Sequence, residues 1–92
     1  MKKLDSTYRR HGYTYQLVDR NEHAAIFSQA NEDGKVVAYE VGKVKIGKEV
    51  TIAGKTIEAG ERFWVDEDFG VIAWTYADFD RAVAVFRQLT PP

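Results

Sequence analysis

The sequence of 92 residues contains no cysteine. That excludes disulfide staples, thiolate-held zinc or iron–sulfur clusters, and a thiol nucleophile. A small chain without staples fits a reducing compartment, so a cytoplasmic location is expected. No apolar run approaches the ~20 residues of a membrane span, and the opening MKKLDSTYRRHG lacks the apolar stretch of a secretory signal. Histidine is scarce: His11 and His23 are the two imidazoles, and both fall near turns or strand ends. No serine elbow, glycine-rich phosphate loop or HExxH pattern is present. No catalytic residue, cofactor or metal ligand set is therefore expected. Charge of one sign is lacking too, since the net charge is −1.

What remains is ordinary globular composition, 45% hydrophobic and 29% charged, which argues against disorder. One domain of this size buries little more than ~60% of its unfolded surface, so each large side chain counts. Burying one aromatic side chain removes ~150–250 Å² from water, worth about 4–6 kcal/mol as an upper figure.

Alternation organises most of the chain. Residues 1–12 show no period and carry Lys2, Lys3, Arg9 and Arg10, which predicts a flexible basic arm before a single domain over 13–90. Tyr13, Tyr15 and Leu17 alternate with polar residues in a half-buried strand, and Ala24–Gln29 forms a second. Asp33-Gly34 marks a hairpin. The next strand, KVVAYEVGKVKI, keeps its apolar residues on one side if Gly42 makes a bulge, with Lys43 and Lys45 facing water. A smaller hairpin turns at Ala53-Gly54-Lys55, and VIAWTY is the last strand. Phe79, Ala82, Val83, Phe86 and Leu89 then form a helical stripe, with Asp78 as N-cap and Thr75 as the rival start. Pro91-Pro92 cannot continue the helix.

The predicted fold is α+β: a twisted antiparallel sheet of five to six strands with one C-terminal helix on one face. Its expected core is Tyr15, Leu17, Phe27, Tyr39, Val41, Trp74, Phe79, Val83 and Phe86.

Two surfaces are candidates for binding. The first is acidic and aromatic: Glu61, Trp64, Asp66, Glu67 and Asp68 would engage a protein partner, an exposed tryptophan there serving as a hot spot. The same carboxylates lack the spacing of a calcium loop and would otherwise form a charged, solvated loop. The second is basic: Lys2, Lys3, Arg9, Arg10, Lys43 and Lys45 would contact phosphates, with Tyr13 or Tyr15 stacking on bases. A pI near 6.1 is low for a nucleic-acid module, and lysines on a strand also guard sheet edges.

The strand containing Tyr39-Glu40-Val41, the block Phe69-Gly70…Trp74-Thr75-Tyr76 and the helix with Ala82 and Phe86 resemble a group of short bacteriophage and prophage proteins. That resemblance spans Tyr13 to Leu89 and brings no assigned site residues. It implies a non-enzymatic protein that binds a host protein, including inhibition of an antiviral defence complex such as a CRISPR effector. The layout is also similar to the WGR domain, but Ala73-Trp74-Thr75-Tyr76 stands where its signature would be. Pairing of copies through an open sheet edge is a further alternative.

Overall fold

The computed structural model describes all 92 residues. Nine strands and one helix follow one another: β1 (Thr7–Arg10), β2 (Tyr13–Arg20), β3 (Ala24–Ala30), β4 (Val36–Lys43), β5 (Lys45–Gly47), β6 (Val50–Ile52), β7 (Lys55–Ile57), β8 (Gly60–Arg62), β9 (Ala73–Tyr76) and α1 (Phe79–Leu89). Five make the main antiparallel sheet, in the order β1-β2-β3-β4-β9. The chain leaves this sheet after β4 and returns as β9. In between, β5 pairs with β8 and β6 pairs with β7. The predicted α+β fold is the observed one.

The basic arm is a correction. Residues 7–10 form an edge strand whose partners run from Thr7↔Gln16 to Arg10↔Tyr13, and Lys2 bridges Gly60. Strand pairing becomes available because His11 and Gly12 both adopt positive φ, 54° and 82°, the paired left-handed geometry of a two-residue hairpin turn. The long third strand is corrected too. Gly42 stays in register between Ala25 and Ala73 with no bulge, and the chain instead breaks at Val44 to start β5. Phe63–Val65 lies outside any strand, and a short 3₁₀ turn follows at Asp66–Asp68.

Residues directly opposite in a sheet share a face, so the register sorts the side chains. Leu17, Phe27, Glu40 and Thr75 stand side by side, as do Ile26, Val41 and Trp74 on the reverse. The single core expected from alternation is thus two cores. One holds Tyr15, Ala25, Phe27, Ala73 and Trp64. The other holds Ile26, Val41 and Ala82, flanked by Tyr39, Trp74, Val83 and Phe86.

Helix α1 covers the second face. Asp78 is its N-cap, accepting from the Asp80 N–H at 3.0 Å, so Thr75 is not the start. Phe79, expected inside, lies 43% exposed at the helix margin against Tyr39. The C-terminal end is tied down by Asn21 Nδ2, which donates to Thr90 Oγ1 at 2.7 Å.

The first face is covered by irregular chain. Phe63 stacks on Tyr8 at 4.5 Å and meets Phe27 edge-on at 5.1 Å, while Trp64 stands perpendicular to Phe27 at 5.8 Å. Gly42 makes room for the indole: a Cβ there would sit 2.6 Å from the Ile72 carbonyl oxygen and 2.8 Å from the Trp64 ring. Gly42→Ala is expected to destabilise by about 1–3 kcal/mol through overpacking, measured as a lower urea midpoint at unchanged m-value.

Candidate functional site

The acidic segment does not form one surface. Trp64 is 1% exposed, and its indole N–H donates to the Lys43 carbonyl at 2.9 Å. Burial removes it from any contact surface, because the irregular segment needs an aromatic to seal the sheet. Glu61 is buried as well, at 7% exposure. Its carboxylate receives Arg20 Nη1 at 2.5 Å and Nη2 at 2.9 Å, and the Leu4 N–H at 2.9 Å. The Arg20 hydrogen bond, followed by that from Leu4, holds its pKa down at about 2. Asp68 is a local brace: Lys45 Nζ donates to it at 2.8 Å and the Val65 N–H at 2.9 Å, lowering its pKa. Asp66 and Glu67 remain exposed.

The basic set disperses likewise. Arg9 and Arg10 alternate onto opposite faces of β1. Arg10 donates to the Trp64 carbonyl and lies over the Phe63 ring. Lys3 and Lys45 pair with Glu61 and Asp68. Lys43 points to solvent, while Lys45, expected there, is half-buried. Tyr15 is buried in the aromatic core and offers no face for a base to stack on.

Two other features carry more. One is a chamber of about 50 Å³ between the sheet and the covering segment, where Glu40, Arg10, His11, Tyr15 and Asp66 converge under Trp64 and Phe69. Glu40 is 7% exposed and makes one side-chain hydrogen bond, accepting from Thr75 Oγ1 at 3.4 Å. Desolvation raises its pKa to about 7, against the smaller lowering effects of Thr75 and Arg10. Tyr15 is also raised, first by burial and then by Glu40. At about 50 Å³ the chamber is too small for an organic substrate.

The other is the β6–β7 hairpin. Its two strands pair only with each other, and every residue from Lys48 to Ala59 is exposed. Ala53 and Gly54 turn it at φ 51° and 78°. Val50 and Ile57 stand opposite each other and share a face with Ile52. The reverse carries Thr51 and Thr56, whose hydroxyls are 3.3 Å apart. Ile52 is 63% exposed, and Ile46, just before the hairpin, is 55% exposed. An alternating pattern with no partner for its apolar side was the available sign in the sequence.

Comparison with protein-family models, curated proteins and solved structures finds no match to this chain. No helix is long and apolar enough to cross a membrane, and no cluster of three or more metal-ligating side chains occurs.

Proposed function

We propose that this protein is a non-enzymatic binding module that inserts its β6–β7 hairpin into an apolar groove of another protein. The observation that carries this is the exposed Val50, Ile52 and Ile57 face on a hairpin packed against nothing of its own. Clustered aliphatics in water mark contact sites more often than scattered ones do. A free two-stranded hairpin is marginal in water, so a groove that encloses it supplies the missing packing.

Charge and area narrow the partner. Lys48 and Lys55 are matched by Glu49 and Glu58 along the hairpin, which leaves no excess of cations for phosphates. Two hairpins face to face would bury a few aliphatics each, short of the ~20–30 residues a side of a stable interface. A groove that takes both faces of the hairpin engages far more of it. The resemblance to short phage proteins points to a host protein as the partner, with antiviral defence complexes first to be tried. The nucleic-acid alternative is weaker, since its cations are spread over two faces and partly paired within the chain.

The test is photo-crosslinking from position 52 in nuclease-treated bacterial lysate, followed by titration of the purified adduct partner. Ile52→Asp/Ile57→Asp should weaken binding by ~30-fold or more, the ~2 kcal/mol of a hot spot. Asp66→Ala/Glu67→Ala should leave it unchanged. Affinity unmoved by the hairpin changes overturns the placement. Adducts of twice the chain's own mass would mean self-association, and capture abolished by nuclease would return the weight to nucleic acid.

A further inference from the structure

The Glu40 chamber has a use that the hairpin does not supply. Glu40 sits on β4 beneath the segment that runs from Phe63 to Phe69, and it makes no ion pair. Arg10, the cation sharing the chamber, donates instead to the backbone carbonyl of Trp64. That bond pins the covering segment to the edge strand β1. Glu40 and the Trp64 carbonyl thus share the neighbourhood of one guanidinium, and a charged carboxylate is the stronger acceptor.

We propose that Glu40 and Arg10 form a proton-controlled latch on the Phe63–Phe69 segment. With Glu40 neutral, Arg10 holds the Trp64 carbonyl and the segment lies shut on the sheet. With Glu40 ionised, the carboxylate draws Arg10 away and admits water to the chamber. The segment then opens, exposing Phe63, Trp64 and Phe69 together.

The surroundings favour a neutral closed state. Asp66, from the 3₁₀ turn, adds a like charge that opposes ionisation, and Arg10 from β1 favours it. Tyr15 from β2 and His11 from the β1–β2 turn complete the titratable groups facing the chamber. Thr75 from β9 supplies a hydroxyl that either form accepts. Desolvation is the largest of these influences, and opening relieves it. The closed state therefore binds the proton more tightly than the open one, and rising pH drives opening.

Amide hydrogen exchange of residues 63–72, corrected for intrinsic rates, reads the latch directly. In the wild type, the opening equilibrium should rise by up to about tenfold per pH unit between about 4.5 and about 7 and level off above that. Glu40→Gln should remove that rise while keeping the segment protected, and Arg10→Gln should leave it unprotected at every pH. A Trp74→Phe variant, with Trp64 as its one indole, should show a red-shifting emission over the same range that vanishes in Trp74→Phe/Glu40→Gln. The same pH dependence in wild type and Glu40→Gln, or a flat profile in the wild type, overturns the latch.

Discussion

Truncating Trp64 to alanine is expected to lower stability by about 3–5 kcal/mol, the range for a fully buried large aromatic. The indole is 1% exposed and meets Phe27, Phe63 and Phe69 at ring separations of 5.8, 5.5 and 6.5 Å. Removing it opens a cavity directly above Gly42, which has no side chain of its own to fill it. It also strips the Lys43 carbonyl of its indole donor, and an acceptor left unpaired in a part-buried place adds to the cost. Domains of this kind hold about 5–15 kcal/mol in all, so the loss takes a large share. Each kcal/mol corresponds to ~4–8 °C in Tm for a chain of this length. Trp64→Phe separates the two contributions, since it keeps an aromatic ring but not the donor. Urea unfolding followed through Trp74 measures both variants. A loss under ~1 kcal/mol for Trp64→Ala would show that the covering segment is peripheral to the core, because surface substitutions stay within about 0.5 kcal/mol.

The same tryptophan shows what alternation in a sequence can and cannot disclose. A period of two sorts Tyr15 from Gln16 and Val41 from Glu40, and the observed faces follow that sorting. It does not say what lies on either face. The helix announced its own layer, because Ala82, Val83 and Phe86 recur at helical spacing and Asp78 caps the start. The segment over the other face is irregular, and an irregular layer has no period to detect. Trp64 therefore stands in the sequence as a candidate contact residue, and nothing there marks Glu40 as buried. The first strand was hidden for a different reason. Tyr8 and Arg10 share the face that packs on Phe63, but one aromatic in four residues gives no pattern, and His11-Gly12 is not among the usual hairpin pairs. Histidine tolerates the left-handed region better than most residues, and that tolerance closes the turn.

Removing Arg20 is the second change with a large expected effect. Glu61 and Arg20 are 41 residues apart in the chain, and no local signal links them. Their side chains are 4% and 22% exposed, so the two halves of the pair are not equivalent. Arg20→Ala leaves a buried carboxylate with only the Leu4 N–H and the more distant Lys3 at 3.8 Å, and is expected to cost about 3–5 kcal/mol. Glu61→Ala strands a cation that reaches water and should cost less, although it also frees the Leu4 N–H. The double variant Arg20→Met/Glu61→Met, which buries no charge, should recover much of the loss. If Arg20→Ala costs no more than an exposed pair, ~0.2–1 kcal/mol, the buried reading is wrong. pH provides an independent check with a definite sign. The folded-state pKa of Glu61 is lowered to about 2, so its contribution is complete above the ordinary carboxylate range and fades as pH falls from about 4.5 toward about 2. Glu40 acts in the opposite sense: its folded-state pKa is raised to about 7, so stability declines as pH climbs from about 4.5 to about 7. Together they place the stability maximum on the acid side of neutrality. Urea midpoints across the pH range should show Arg20→Ala shrinking the acid limb, of which the Asp68–Lys45 pair keeps a share, and Glu40→Gln erasing the limb that falls toward neutrality, each without touching the other, since Glu61 and Glu40 share no partner.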